Sequence, residues 1–132
     1  MASLVGYYSL LSGFFCSFLI IYFSIINFKD TKILDKRILS FTFFQFFFVV
    51  ISFFGLIISF VVSDFSNETV FNHSHTTKPL FYKISATWGN HEGSLLLWLL
   101  VLTLFIYLFL LKSVEQKKSY RILTLLFQEI II

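Results

Sequence analysis

The stretch KISATWGNHEGSLLLWLL, residues 83–100, gathers the side chains of this sequence best suited to chemistry. Trp88, His91 and Trp98 offer two planar apolar surfaces and one imidazole. Asn90, Glu92 and Ser94 add polar groups, while Gly89 and Gly93 allow close backbone packing. On a helix beginning near Asn90, the 3.6-residue period puts His91, Leu95, Trp98 and Leu102 on one face. Glu92, Leu96, Leu99 and Thr103 fall on the next face. Asn90 suits the N-cap of that helix and Glu92 its positive first turn. Capping accounts for those two residues. It does not account for Trp88, His91 and Trp98, which together suit a planar apolar ligand with polar edges.

No other constellation is as complete. His73 and His75, two residues apart, form a ligand pair only on an extended strand, and no Cys, Asp or Glu at ligand spacing joins them. HEGSL is no zinc-protease signature, because Leu95 stands where H-E-x-x-H requires its second histidine. No Ser-His-Asp set, P-loop or GxGxxG occurs, so no catalytic residue and no metal ligand is expected. NET and NHS match the glycosylation sequon, which has meaning only in the secretory pathway. Cys16, the one cysteine, reads as a small buried residue.

The elements that position the stretch follow from composition. Hydrophobic residues make up 58% of 132 positions and charged residues 13%, more apolar surface than a soluble domain of this size can hide. Residues 4–28, 38–62 and 94–111 are free of charge. Each reaches the roughly 17–25 residues that a helix needs to cross a bilayer, where only helices and closed barrels satisfy their own backbone. The expected fold is an all-α integral membrane protein: three transmembrane helices, a connecting loop over 63–93, and a short apolar helix over 122–132 interrupted by Gln128 and Glu129. The first block is too long for a signal peptide and has no basic residue before it, which predicts a retained anchor. No spanning block carries a charge that would line a path, which weighs against a channel or transporter.

Lys29, Lys32, Lys36 and Arg37 follow the first block, and Lys112, Lys117, Lys118 and Arg121 follow the third. The positive-inside rule places both groups in the cytoplasm or matrix, with the N-terminus and 63–93 opposite. The net charge of +3 thus reports topology and attraction to anionic lipid, and no basic, aromatic pattern suggests nucleic acid. Twenty phenylalanines, with alanine only at Ala2 and Ala86, suit A+T-rich codons and an organelle genome. Within 63–93, Asn67 to Thr77 reads as a polar loop, and LFYKISATW after Pro79 reads as extended or lying in the headgroup layer. Small residues Gly6, Gly13, Ser17 and Ser24 share one stripe, and Gln45, Ser52 and Ser59 another beside Gly55. Two such seams predict neighbours beyond the chain and hence a larger helical assembly.

SDF, LFYKISATWGNHEGS and LLLW, within residues 61–104, resemble the N-terminal part of the CcmF family of cytochrome c haem lyases. That resemblance implies a multi-helix haem-handling protein of the bacterial cytoplasmic or mitochondrial inner membrane. The mitochondrial membrane is the expected one, with 63–93 facing the intermembrane space. Its implied partners are a haem-delivery protein, apocytochrome c and further haem lyase chains. Its implied cofactor is haem, held mainly by a partner chain. The family's tryptophan-rich haem-binding segment and flanking histidines are absent here. The family motif maps onto Trp88, Gly89, Asn90, His91, Glu92, Gly93 and Ser94, but no ligand role carries over with it. Trp88, His91 and Trp98 are therefore expected to support a haem site, and the chain to act as the N-terminal piece of a split haem lyase without its own catalytic set. The EIII ending suits a fourth helix completed by a separately encoded remainder. The competing expectation is a non-catalytic scaffold among the subunits of a larger membrane complex, such as a respiratory one.

Overall fold

The computed structural model describes residues 1–28, 36–113 and 117–132. Among the described residues the protein is all-α, with six helices and no strand. Lys29 and Lys32 lie outside them. Helix α1 (Ala2–Phe28) and helix α2 (Lys36–Val62) each have 27 residues, and α5 (His91–Lys112) has 22. At 1.5 Å per residue these span about 40 Å and about 33 Å, enough to cross roughly 30 Å of hydrocarbon. All three are apolar enough to do so, and the chain is a multi-pass integral membrane protein. Their outward positions, such as Phe14, Phe18, Phe47, Phe54 and Phe105, are exposed aromatics of the kind that face lipid.

The two small-residue stripes meet each other. A Cβ on Gly55 would stand 3.1 Å from the Cα of Gly6 and 3.2 Å from the Ala2 carbonyl, and one on Gly13 would stand 3.7 Å from the Gln45 carbonyl. Ser17, Ser24, Gln45, Ser52 and Ser59 are buried in the same seam. The stripes thus face protein and not lipid, each being the other's partner within this chain. Small side chains bring the α1 and α2 backbones together, the usual basis of helix association where the hydrophobic effect offers no drive. Hydroxyls here turn to carbonyls of their own helix: Ser59 Oγ donates to Gly55 O at 2.9 Å, and Thr42 Oγ1 to Ile38 O at 2.8 Å.

The segment over 63–93 holds two short helices where a polar loop and an extended piece were expected. Asn67 caps α3 (Glu68–His73), accepting from the Thr69 N–H at 3.0 Å, with Glu68 in the first turn. Pro79, with φ −58°, presets the start of α4 (Leu80–Ala86). Ahead of them, α2 ends in a Schellman turn: Asp64 N–H donates to Ser59 O at 2.9 Å and Ser63 N–H to Phe60 O at 3.2 Å. Ser63 takes the left-handed conformation there, at φ 57°, a position that usually falls to glycine.

Helix α6 (Lys118–Ile131) starts four residues before the apolar run that announced it. Its 14 residues cover about 21 Å, short of a crossing. Arg121, Leu125 and Glu129, four apart, form its buried stripe. Arg121 Nη2 donates to Leu110 O at 2.6 Å and Nε to Ser113 Oγ at 2.9 Å, capping the carbonyl end of α5. Leu125 joins Ile20, Ile38, Ile106 and Leu110 in one core, so α6 turns back beside the spans. Glu129 thereby enters the bundle at 4% exposure and accepts from Gln45 Nε2 at 2.9 Å. This acid lies on the short helix and not on a span.

Candidate functional site

The WGNHEG stretch is the corner between α4 and α5. Asn90 builds it. Its backbone is extended (φ −110°, ψ 167°), and its Oδ1 accepts from the Gly93 N–H at 2.6 Å, capping α5 as expected. Its Nδ2 donates backwards to Ala86 O at 2.7 Å. One buried amide thus ties the last turn of α4 to the first turn of α5. Thr87 lies across that first turn, fully buried, so close that a Cβ on Gly93 would stand 1.6 Å from the Thr87 carbonyl oxygen. Only glycine fits at position 93. Lys83 Nζ donates to Ser63 Oγ at 2.7 Å, fastening α4 to the end of α2.

Nearby, Asp64 pins the chain start to the end of α2. It accepts from Ser3 Oγ at 3.2 Å and lies 3.8 Å from the Met1 amine. The Ser66 hydroxyl and N–H also donate to it, and the Ser66 hydroxyl above all holds this carboxyl below the usual carboxylate range.

On this frame the predicted residues divide. Trp88 and Trp98 are 43% and 58% exposed, and His91, Glu92 and Ser94 are exposed as well. His91, Leu95 and Trp98 share an outward face, while Thr103 of the adjoining face is buried. Trp98 and Glu92 come together on an open groove of about 350 Å³ walled by Leu95, Leu96, Leu99 and Leu102. Trp88 and His91 do not line it. Gly89 and Asn90 serve the corner's backbone, and no cluster of three potential metal ligands occurs among the described residues. For haem the fit is partial: the groove is apolar on its α5 side and on the facing Leu10, Ile131 and Ile132, whereas the exposed imidazole of His91 lies outside it. Phe81, 82% exposed, with Leu80 and Tyr82, extends the apolar surface along α4.

Two features of the interior escaped the sequence reading. Thr87 carried no signal, since its role is to lend a carbonyl. Ser17, Gln45 and Glu129 form a buried polar group in which Gln45 Nε2 donates to Ser17 Oγ at 2.6 Å as well as to Glu129. Its signal was the seven-residue polar repeat on α2, together with an acid four residues after an apolar Leu125.

Fold and corner define a polytopic helical membrane protein whose spans carry an aromatic, imidazole-bearing turn at one end. Its relatives are cytochrome c-type biogenesis proteins. The chain is 52% identical over 61 residues to the cytochrome c-type biogenesis protein ccl1 of Rhodobacter capsulatus, a match covering 46% of this chain and 9% of that protein. It is 54% identical over 61 residues to CycK of Bradyrhizobium diazoefficiens, again 46% and 9%. With CcmF of Haemophilus influenzae the identity is 44% over 75 residues, 55% of this chain and 12% of that protein. The matched stretch thus spans about a tenth of the length of these relatives. No family model and no solved structure matches the chain.

Proposed function

We propose that this chain serves cytochrome c maturation as the N-terminal membrane portion of a haem lyase, its corner forming one wall of a haem-presenting site. The identity of 52% over 61 residues with a cytochrome c-type biogenesis protein supports the reading most directly. The corner adds a physical reason. Asn90 and Gly93 hold it rigid, while Trp88, His91 and Trp98 are left exposed. A rigid frame under exposed planar side chains suits a preorganised contact with a flat ligand. In this reading haem is held mainly by a partner surface, and Trp88, His91 and Trp98 support it. Bound haem supplies vinyl groups that form thioethers with the thiols of apocytochrome c. His91 places one imidazole at the edge of that surface, where it would hydrogen-bond a propionate-binding group or a neighbouring loop.

The same reading places the basic end, with Lys36, Arg37, Lys112 and Lys117, in the matrix and the corner in the intermembrane space of mitochondria. It also makes the chain one part of a split lyase. Isolation of the protein in mild detergent tests both. The expected preparation contains a 15.5 kDa species together with a second polypeptide that carries a tryptophan-rich segment. A single long polypeptide contradicts the split. Respiratory subunits in place of a lyase partner favour the scaffold role and refute the haem-presenting one.

A further inference from the structure

Helix α4 lies at the membrane boundary, because both elements that hold it end there. The apolar span α2 stops at Val62, and Lys83 Nζ donates to the hydroxyl of the next residue, Ser63, at 2.7 Å. The span α5 starts at His91, where Asn90 Nδ2 donates back to Ala86 O at 2.7 Å and the Thr87 carbonyl rests on Gly93. Seven residues at 1.5 Å make α4 about 10 Å long, so no part of it stands much farther than that from the first turn of α5. The headgroup layer between hydrocarbon and water is roughly 5–7 Å deep on each side of a bilayer. The helix therefore sits within or beside that layer.

Its side chains divide by face. Gly89 N–H still donates to Ser85 O at 3.1 Å, which carries the helical turn through Trp88. At 3.6 residues per turn Leu80, Phe81, Ile84 and Trp88 then fall within about 100° of arc. Leu80, Phe81 and Trp88 on this arc are exposed, with Ile84 half-buried among them. Tyr82, Ser85 and Gly89 take the next arc. Lys83, Ala86 and Thr87 take the third, and these are the residues fastened to α2 and α5. One face is thus committed to protein, one is apolar and open, and the one beside it is polar.

We propose that the apolar face of α4 is seated in lipid, at the acyl edge of the headgroup layer at the corner end of the bundle. A helix with an apolar face beside a polar one, held at the depth of that layer, has the arrangement of an interfacial helix. Tyr82 and Trp88 are residue types that gather at this depth. The face also continues a surface that meets lipid: Phe54, Ile58 and Val62, four residues apart, form an exposed stripe up α2 that ends beside Ser63, where Lys83 attaches. Water is a poor cover for Leu80 and Phe81 when hydrocarbon lies alongside. A protein partner on this face would have to displace the lipid that flanks the α2 stripe. Seated in this way, α4 fixes the depth of the corner to which Asn90 and Thr87 tie it. The inference rests on the placement of α4 and is independent of the haem reading.

The test uses the full chain in its native membrane, with a photo-crosslinking residue at Leu80 or Phe81 on the apolar face, at Ser85 on the polar face, and at Phe54 on the span as the lipid control. Adducts are identified by mass spectrometry. Leu80, Phe81 and Phe54 are expected to capture phospholipid, and that capture should be lost at Ser85. Should a crosslinker variant fail to reach the membrane, nitroxide labels carry the test in the full chain reconstituted in phosphatidylcholine vesicles. They are placed one at a time on Leu80→Cys, Phe81→Cys, Tyr82→Cys and Ser85→Cys, each with Cys16→Ser. Labels at 80 and 81 should be open to oxygen and shielded from a water-soluble nickel chelate, and labels at 82 and 85 the reverse. Capture of another polypeptide or of a segment of this one at Phe81, capture of nothing there while Phe54 captures lipid, lipid capture at Ser85 equal to that at Phe81, or nickel access as high at 80 and 81 as at 82 and 85 overturns the proposal.

Discussion

Replacing Gly93 by alanine puts a methyl group 1.6 Å from the Thr87 carbonyl oxygen and 2.8 Å from its carbon. Ordinary contact begins near 3.4 Å, so the two backbones must part by about 1.8 Å (3.4 − 1.6). Both are main chain, and no rotamer change relieves the overlap. The movement takes Asn90 Oδ1 away from the Gly93 N–H, now at 2.6 Å, and strains the Nδ2 bond to Ala86. A lost cap costs about 1 kcal/mol, and overpacking against backbone about 1–3 kcal/mol more. Alanine's better helix propensity returns about 1 kcal/mol, leaving a net loss of about 1–3 kcal/mol. Denaturant titration in detergent, followed by helicity and by tryptophan emission, measures it. Gly13→Ala is the control, since its Cβ would meet the Val49 side chain at an unremarkable 3.5 Å. A Gly93→Ala protein as stable as the control refutes the account of the corner.

Three further outcomes follow from the same structure. Gly55→Ala should cost about 1–2 kcal/mol in the same titration, because its Cβ would meet three backbone atoms of α1 at 3.1–3.3 Å and force the two spans apart. The Asp64 carboxyl, held below the usual range chiefly by the Ser66 hydroxyl, stabilises the fold above its ordinary pKa near 3.9, and that stabilisation is lost as pH falls through the lower folded value. Ser66→Ala should therefore move its titration upward in a carboxyl NMR experiment, and an unmoved titration contradicts the assignment. A cysteine placed at His75, with Cys16 replaced by serine, should react with an impermeant thiol reagent from the side opposite the basic end. Labelling from the basic side refutes the proposed orientation.

The three spans were legible because length and apolarity fix a crossing helix almost without reference to tertiary structure. Asn90 and the glycines were legible for a similar reason: a cap and a close approach are local events with few residue types to serve them. What was not legible depended on partners distant in sequence. The seams of α1 and α2 were visible as stripes, yet that they face each other became plain only when Gly6 met Gly55. The helices α3 and α4 were hidden because each is under eight residues, too short for periodicity to register. Glu129 read as an interruption of an apolar run, and its burial follows from Arg121 capping α5 and turning α6 back along the bundle. Of the candidate site, the motif itself was legible. That Trp98 shares a groove with Glu92, and not with His91 and Trp88, was not.

The central claim is that the exposed corner serves covalent attachment of haem to cytochrome c, and paired alanines at Trp88 and His91 address it most directly. Neither side chain is buried, and neither makes a side-chain hydrogen bond in the corner's frame, so the double variant should fold and reach the membrane as the native chain does. The measurement is the yield of covalent holocytochrome c in a strain carrying both substitutions, normalised to the amount of this chain in the membrane fraction. The account predicts a marked fall in holocytochrome at unchanged membrane abundance. Holocytochrome at the native level, with the variant chain present in normal amount, would contradict it.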